Sequence, residues 1–393
     1  MNQPWEHAAV IAGIGRSAVG RRLERPALDL TLDACLAAIA DAGLAPADID
    51  GLVTWPGDGF GGGAGFAGPG IATLQDALRL SLDWYASGAE GLNLVGHVIE
   101  GAMAVAAGAA RHVLAVRTVT EASAQGSGRR AAIGAGGQGR VCGPMSWLLP
   151  HGARSAANWA ALDAQRHMAE HGTTAEHLGA VAVTQRAHAG ANPDAIYRDP
   201  LTIDDYLESR SISTPLRLYD CDVPADGAIA FVVSPRAAAS DRSVAFEAVS
   251  VARRGRALWE QREDLTTMAG HDAADALWRR TTLRRDDVDV AQLYDGFSIF
   301  VLQWLEAAGF CKPGESGPMV ASGATALGGE LPVNTCGGQL SGGRFVGSGL
   351  LYEACVQLRG AAGPRQVDGA EVAFVGVGGG NLGQALLLSR GGW

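Results

Sequence analysis

The same order of sequence features occurs twice along this chain of 393 residues. Each copy contains an Asp-x-Asp turn followed by a short apolar strand pattern, at Asp48-Ile49-Asp50 and again at Asp287-Val288-Asp289. Aligning these turns places Trp55 opposite Tyr294. Later in each copy a glycine-rich turn leads into a helix of small residues, a glycine and a strand; we predict these helices over about 91–107 and 348–359. Such self-similarity indicates a duplicated structural unit.

Strands that alternate with helices predict an α/β protein with mainly parallel sheets and right-handed crossovers. The small residues of the two repeated helices allow close packing, so we expect both helices to lie between sheets in a five-layer αβαβα arrangement. Residues 119–213 have no counterpart in the other copy, which predicts an inserted loop domain that covers the substrate. A dimer arm is the alternative, and the two are compatible. The first half is then 1–118 with 214–240, and the second half is 241–393.

Composition argues against several classes of protein. A net charge of −10 and an isoelectric point near 5.4 disfavour nucleic-acid binding, which requires clustered Lys and Arg. The six cysteines form no CxxC pair, so we expect reduced thiols, no metal and a cytoplasmic protein. No apolar run approaches the roughly 20 residues of a membrane span, so we expect no membrane insertion. The only lysine, Lys312, lies in a turn pattern before Pro313, which argues against Schiff-base chemistry.

Five short motifs occur in an order that resembles the thiolase superfamily, and within it the branch of lipid-transfer-protein and sterol-carrier-protein thiolases. The motifs are Asn192-Pro193, Tyr219 to Ala228, Leu293 to Phe297, Asn334 to Gly343 and Gly376 to Gly380. The resemblance spans nearly the whole chain. It implies a thiolase fold with duplicated βαβαβαββ halves, an acyl-CoA substrate and a homodimer.

The thiolase catalytic residues are replaced in this chain. Tyr85, in Trp84-Tyr85-Ala86-Ser87-Gly88, stands where thiolases carry the nucleophilic cysteine, and Tyr294 and Arg344 stand where they carry histidines. Acyl transfer requires an activated thiolate with a histidine partner, so ordinary thiolysis and Claisen condensation are disfavoured. Cys336 is the one cysteine in a loop of catalytic pattern, although packing as a small hydrophobe is the commoner role for such a residue.

The motif Tyr294-Asp295-Gly296-Phe297 resembles the steroid side-chain aldolases of bacterial sterol and bile-acid degradation. That resemblance implies retro-aldol cleavage of a β-hydroxyacyl-CoA with a bulky, steroid side chain, releasing a ketone and a short acyl-CoA such as propionyl-CoA. It also implies a partner subunit, either a DUF35-type OB-fold protein or a MaoC-like hydratase, and no cofactor apart from the coenzyme A of the substrate. Two alternatives stay open: an acyltransferase that uses Cys336 or another thiol, and a non-catalytic lipid-binding or scaffold subunit.

Retro-aldol cleavage needs a base for the hydroxyl proton and donors for the enolate oxygen. We predict that Tyr294 is the base or a proton relay, that Arg344 lowers the pKa of Tyr294, and that Asp295 either orients Tyr294 or caps the following helix. Related aldolases show a second tyrosine at the position of Arg344. The predicted oxyanion donors are the loop Gly376 to Gly380 with Asn334 or Gly337 and Gly338. The predicted substrate-binding residues are Tyr85, Ser87, Gly337, Gly338, Gly378, Gly379 and Gly380.

Overall fold

The computed structural model describes residues 4–56, 64–88, 94–126, 146–255 and 261–391. Residues 127–145 of the predicted insertion lie outside this part of the chain. The strands are β1 (Ala9–Arg16), β2 (Gly51–Trp55), β3 (Trp84–Ser87), β4 (Val113–Thr120), β5 (Ser211–Ser213), β6 (Leu216–Arg217), β7 (Asp226–Pro235), β8 (Val244–Arg253), β9 (Val290–Leu293), β10 (Val372–Gly379) and β11 (Leu382–Arg390). The helices are α1 (Ala27–Asp41), α2 (Ile71–Leu78), α3 (Gly96–Ala106), α4 (Glu121–Gly126), α5 (Ala156–His171), α6 (Ala175–Gly190), α7 (Ile203–Glu208), α8 (Ala269–Trp278), α9 (Ser298–Ala307), α10 (Ser316–Ala321) and α11 (Ser348–Leu358).

One sheet contains most of these strands, in the order β3-β2-β4-β7-β1-β8-β11-β10-β9. Near the middle of this sheet, β1 and β8 are adjacent and pair antiparallel through two residue pairs, Val10↔Ala245 and Ile11↔Val244. The sheet therefore divides at this short junction into two halves, and β2-β4-β7-β1 in the first corresponds to β9-β10-β11-β8 in the second. An isolated parallel bridge between Ala291 and Val333 lies where the counterpart of β3 is expected.

The duplication extends to individual hydrogen bonds. Short 3-10 helices at Pro46–Asp48 and Arg285–Asp287 precede β2 and β9 at the same spacing. Asp50 then accepts the backbone N–H of His112, the residue before β4, at 2.7 Å. Asp289 accepts that of Val372, the first residue of β10, at 2.9 Å. An aspartate thus links the starts of two parallel strands in each half, which confirms the duplication predicted from the Asp-x-Asp turns.

Alternate residues of β7 pack against two different helical layers. Ala228, Ala230 and Val232 pack in a cluster with α1 and α2, whereas Ile229, Phe231 and Val233 face the layer that contains α3. The backbone N–H of Val95, just before α3, donates to the side chain of Gln384 in β11 at 3.1 Å, so α3 also contacts the second half. α11 contacts β7 as well as β9 and β10, while α8 packs on β8 and β11. These contacts give the predicted five-layer αβαβα order.

Two helices of the insertion, α5 and α6, begin directly after favourable N-cap residues. The side-chain oxygens of Ser155 and Thr174 accept the backbone N–H groups of Ala157 and His177, both at 3.3 Å, at the starts of α5 and α6. α5 ends at Gly172, whose φ of +69° is the left-handed conformation that glycine adopts without strain. These three boundaries therefore follow from the local sequence.

The insertion packs on the second half of the molecule. α5 and α6 contact α9, and α6 also contacts α10 and a π-helical turn at Gly338–Gly342. α9 is therefore buried along its whole length. Near the predicted bounds of the insertion, β4 continues to Thr120 and the β5–β6 hairpin spans residue 213; the domain division itself stays a prediction. Among the helices that the structure describes, none has the length and apolarity that a membrane span requires.

Candidate active site

Loops that follow β4 and β9 meet at the carboxyl ends of these strands. The segment around Asp222 lies between them, because its backbone N–H donates to the carbonyl of Gly296 at 3.3 Å, and the N–H of Val223 donates to that of Gln339 at 2.9 Å. The backbone N–H of Arg344 in turn donates to the carbonyl of Val223 at 2.8 Å. The loops that contain Tyr294 and Arg344 therefore converge at one site, as the sequence predicts.

Tyr294 follows directly after β9, and its side chain is buried. The ring lies against Gly296, where an added Cβ would be 3.0 Å from the phenol oxygen. Burial raises the pKa of Tyr294 well above its ordinary value, Asp222 raises it further, and Arg344 opposes this with a smaller effect. Arg344 thus lowers the pKa of this phenol in the predicted direction, but burial outweighs it and the net shift is upward. The folded protein holds Tyr294 in its protonated form at neutral pH.

Arg344 forms ion pairs with two acidic side chains. Its Nε and Nη2 donate to the two carboxylate oxygens of Glu121 at 3.0 and 2.8 Å, and its Nη1 donates to Asp222 Oδ1 at 3.0 Å. Two carboxylates thus face one guanidinium, which explains why the charge of Arg344 does not outweigh the burial of Tyr294. Burial raises the pKa of Asp222 to about 6 although Arg344 opposes the shift. Sequence analysis did not identify Glu121 or Asp222 as site residues.

Asp295 caps a turn at Gln339 and Leu340, in a different loop, and not the helix that follows it. Its Oδ2 accepts the backbone N–H groups of Gln339 and Leu340 at 2.7 and 3.2 Å, whereas the N-cap residue of α9 is Phe297, without a side-chain cap. The predicted capping of the following helix is therefore wrong. The other oxygen, Oδ1, is buried and has no hydrogen-bond partner among the described residues. Burial is the main cause that raises the pKa of Asp295 to about 7.

Gly338 allows Asp295 to approach the turn that it caps. The φ of Gly338 is +57°, and an added Cβ would lie 2.0 Å from Asp295 Oδ2 and 2.6 Å from Gln185 Oε1. Gln185 comes from α6 in the insertion, and its buried side-chain amide has no hydrogen-bond partner within the described parts of the chain. A polar cluster of Tyr294, Asp295, Gln185 and Gln339 is thereby enclosed between the second half and the insertion. Neither glutamine was predicted, since nothing local in the sequence marks them.

The side-chain amide of Asn334 is bonded to the end of β9. Its side-chain oxygen accepts the backbone N–H of Leu293 at 2.7 Å, and its side-chain nitrogen donates to the carbonyl of Leu293 at 2.8 Å. The amide therefore continues the edge of β9 and holds the strand end that precedes Tyr294. Asn334 thus has a structural role here, and its predicted catalytic role stays a prediction.

The glycine-rich loop Gly376 to Gly380 forms the end of the β10–β11 hairpin. β10 pairs antiparallel with β11 up to Gly379↔Leu382. The carbonyl of Gly376 accepts the backbone N–H of Tyr294 at 2.7 Å, and that of Gly378 accepts Trp304 Nε1 at 2.9 Å. An added Cβ on Gly376 would lie 2.5 Å from the Trp304 ring, so packing alone requires glycine there. The oxyanion role of Gly378, Gly379 and Gly380 stays a prediction.

Cys336 lines a cleft on the other side of the loop that contains Gly338. The cleft is also lined by Arg16, Gln339 and Tyr352. Burial, followed by the charge of Glu353, raises the pKa of the Cys336 thiol to about 12. A thiol with such a pKa is not a nucleophile at neutral pH.

Gly337 has a φ of +95° and an added Cβ would lie 2.5 Å from the Cβ of Ala189, so α6 packs directly on this residue.

Tyr85 and Ser87 lie on β3, at the edge of the first half-sheet. The Tyr85 side chain is 66% exposed and is not enclosed with Tyr294. Ser87 Oγ accepts a hydrogen bond from Thr54 Oγ1 at 3.1 Å. The position that a nucleophile would occupy in thiolases therefore presents an exposed phenol, and the predicted substrate contact of these two residues stays a prediction.

His167, His171 and Glu306 bring potential metal-ligand atoms within 4.8 Å of one another at the end of α9 farther from Tyr294. The ring nitrogens of His167 lie 2.7 Å from Thr173 Oγ1 and 3.2 Å from Glu306 Oε2. Glu306 also accepts hydrogen bonds from the Gly314 backbone and the Ser316 hydroxyl. The cluster is therefore internally hydrogen bonded and joins α5 to the end of α9.

Residues 253–388 match the thiolase C-terminal domain-like family. The chain is 37% identical to a steroid side-chain-cleaving aldolase of Thermomonospora curvata, over 90% of this chain and 91% of that protein. It is 36% identical to a 17-hydroxy-3-oxo-4-pregnene-20-carboxyl-CoA lyase of Mycobacterium tuberculosis, over 97% and 98% of the two chains. Among solved structures, an Ltp2-ChsH2(DUF35) aldolase is similar with a TM-score of 0.87 and 34% identity, over 98% of each chain.

Proposed function

This chain belongs to the family of thiolase-fold steroid side-chain-cleaving aldolases, and on that premise we propose that it cleaves a steroid β-hydroxyacyl-CoA by a retro-aldol reaction. The products are a ring ketone and a short acyl-CoA such as propionyl-CoA. One observation of the site supports this chemistry above the others: Asp295, adjacent to Tyr294, is a buried carboxyl with a pKa of about 7 and an oxygen without a hydrogen-bond partner among the described residues.

The reaction requires a proton to leave the β-hydroxyl. As that O–H bond breaks, its electron pair forms the ketone, and the Cα–Cβ bonding pair moves into the thioester as an enolate. The enolate carbon then takes up a proton and becomes the short acyl-CoA. No oxidant, reductant or covalent nucleophile takes part, so we propose that coenzyme A enters as part of the substrate and that no further cofactor is needed.

Tyr294 and Asp295 divide the proton transfer between them in this proposal. A phenol of raised pKa is a poor base, but it can pass a proton on while it stays neutral overall. A carboxyl whose pKa burial raises to about 7 can accept and release a proton near neutral pH, which suits a general base. We therefore assign the contact with the substrate hydroxyl to Tyr294 and the final acceptance of the proton to Asp295.

The acyltransferase alternative has less support from the site. Acyl transfer would require a Cys336 thiolate, and burial raises the pKa of that thiol to about 12. The scaffold alternative does not account for a buried carboxyl with an unpartnered oxygen beside a buried phenol, because such groups destabilise a core that has no use for them.

We propose two protein partners. The solved relative is an Ltp2-ChsH2(DUF35) aldolase, which supports a DUF35-type partner for this chain more directly than a MaoC-like hydratase. A second copy of the chain is supported by β3, an edge strand with the exposed Tyr85, because exposed strand edges are usually covered. The cytoplasmic location stays a prediction.

The test is an assay of cleavage with the compound that the name of the mycobacterial relative gives, 17-hydroxy-3-oxo-4-pregnene-20-carboxyl-CoA. The chain is purified alone and after co-expression with a DUF35-type protein, and the ketone and short acyl-CoA are measured by mass spectrometry. We expect both products in equal amounts. Intact thioester in both preparations, with folded protein, contradicts the proposal for this steroid.

A further inference from the structure

Arg117 is a buried cation near the carboxyl end of β4. Its side chain is fully buried, and it pairs in register with Trp55, the last residue of β2. The other residues of β4 around it are apolar or uncharged, so the strand places one charge inside the protein. Burying a guanidinium without a charged partner is costly, and such a residue calls for a ligand or a functional role.

The guanidinium of Arg117 is held at one edge by two backbone carbonyls and lies beside two aromatic rings. Its Nη1 donates to the backbone carbonyls of Trp55 and Phe66 at 3.2 and 2.6 Å. Its central carbon lies 4.5 Å from the Trp55 ring centroid and 4.4 Å from that of Phe66. Two carbonyls and two aromatic rings therefore set the position and the plane of the group.

The other edge of the same guanidinium, formed by Nε and Nη2, donates no hydrogen bond to the described residues. Nε and Nη2 are buried and have no hydrogen-bond partner among the described residues. These two nitrogens carry the parallel N–H groups that bind an oxyanion at two points. Glu121 acts on Arg117 through its charge, but both its oxygens accept hydrogen bonds from Arg344. The free edge thus has no carboxylate bound to it in the described structure.

Arg117 lies in β4 four residues before Glu121, whose carboxylate binds Arg344 at the site. The charged and titratable groups that act on it are Glu121, Arg344 and Tyr294, and it acts on His97 of α3, whose pKa burial lowers to about 3. His97 is therefore neutral, and Arg344 is offset by Glu121 and Asp222. Burial lowers the pKa of Arg117 to about 9, which leaves it protonated at neutral pH. Arg117 is accordingly a cation whose Nε and Nη2 donate to none of the described residues.

We propose that the Nε–Nη2 edge of Arg117 binds the thioester oxygen of the acyl-CoA as it becomes an enolate oxygen. This inference rests on the proposed retro-aldol function and names the group that receives its negative charge. The charge arises when the Cα–Cβ electron pair moves into the thioester, and it disappears when the enolate carbon is protonated. A donor pair that is already fixed and desolvated stabilises that charge without reorganising.

The first measurement compares steady-state cleavage by the complex of wild-type chain and partner with the variants Arg117→Met and Arg117→Lys. We expect kcat to fall about 100-fold or more in Arg117→Met, the size typical for loss of an oxyanion donor, and Arg117→Lys to recover part of it. Melting temperatures monitor the fold. The matched control is Arg359→Met, which removes a buried arginine paired with Asp41 and should leave kcat within about threefold, since a residue outside the reacting groups does not alter the transition state.

The second measurement is binding of carboxymethyl-coenzyme A, a thioether whose carboxylate resembles an enolate, compared with propionyl-CoA. We expect wild-type protein to prefer the carboxylate and Arg117→Met to lose that preference, while Arg359→Met keeps it. Wild-type cleavage with an unchanged kcat in Arg117→Met overturns the inference and leaves the proposed function standing. Absence of wild-type cleavage overturns the function, and the binding preference then decides whether the oxyanion site exists.

Discussion

Arg344 and Glu121 form a two-point ion pair, with Nε–Oε2 and Nη2–Oε1 distances of 3.0 and 2.8 Å. Glu121 is almost fully buried and Arg344 is 24% exposed on its side chain. The pair joins the first residue of α4, directly after β4, to the loop before α11, and so connects the two halves of the duplicated scaffold across the site. Its role is therefore structural as well as electrostatic.

Arg344→Gln is expected to destabilise the protein. The substitution leaves the carboxylates of Glu121 and Asp222 without their cation, and loss of one partner from a buried pair typically costs about 3–5 kcal/mol. Chemical denaturation followed by circular dichroism measures the change. The double variant Arg344→Gln with Glu121→Gln should regain part of the loss. A single-variant change below about 1 kcal/mol, the range of exposed pairs, contradicts the assignment.

Tyr294→Phe is expected to abolish cleavage and to preserve the fold. The substitution keeps the ring that packs beside Phe300, at a centroid distance of 6.2 Å, and removes the hydroxyl that passes the proton. A loss of at least about 100-fold in kcat is expected for a general acid–base group. Tyr197→Phe, which removes a hydroxyl bonded to Arg21, serves as the control. Turnover retained in Tyr294→Phe takes this phenol out of the mechanism.

Asp295→Asn is expected to change how stability depends on pH. The pKa of Asp295 is raised from 3.8 to about 7 in the folded protein, so the folded state holds a proton that the unfolded state has already lost. Its contribution to stability is full below pH 4 and is lost as pH rises to about 7.

The asparagine variant lacks that loss, so its free energy of unfolding relative to wild type should rise between pH 5 and pH 7.5. We expect the free energy of unfolding of the variant to rise by about 1 kcal/mol or more relative to wild type. The reason is that each pH unit in this window changes the wild-type value by up to about 1.4 kcal/mol. Urea unfolding at several pH values measures it. A difference that is constant over this range shows that the carboxyl is ionised throughout.

Gly338→Ala is expected to disrupt the turn that Asp295 caps. The added methyl would meet Asp295 Oδ2 at 2.0 Å and would also hold a φ of +57°. The control is Gly360→Ala, where φ is +65° and no atom lies within 4 Å, so that it reports backbone strain alone. We expect about 1–3 kcal/mol more destabilisation at Gly338, as for overpacked core sites. Equal losses at both positions show that Asp295 can move away at little cost.

The scaffold could be predicted because its determinants are local and repeated. The Asp-x-Asp turns, the strands after them and the small-residue helices each depend on a few neighbouring residues, and the second copy of each pattern supports the first. The bounds of the insertion are marked less sharply, because the hairpin at 211–217 has weak strand patterns.

The site was predicted less well than the fold. Tyr294, Asp295 and Arg344 were identified from their motif positions, but their roles depend on groups distant in the sequence. Asp295 caps a turn more than 40 positions later, and Asn334 bonds to Leu293 at the end of β9. Sequence patterns identify a capping residue by the few residues directly after it, so a cap across two loops leaves no such pattern.

The sequence by itself determined the duplicated α/β scaffold, the loss of the thiolase nucleophile and the loops that form the site. The tertiary structure alone decided the charges within that site. It brings Glu121 and Asp222 to Arg344, leaves one edge of Arg117 without a partner among the described residues, and raises the pKa values of Tyr294 and Asp295. The reason is physical: the energy of a charge depends on its burial and on partners within a few ångströms, and neither quantity is encoded in any short stretch of chain.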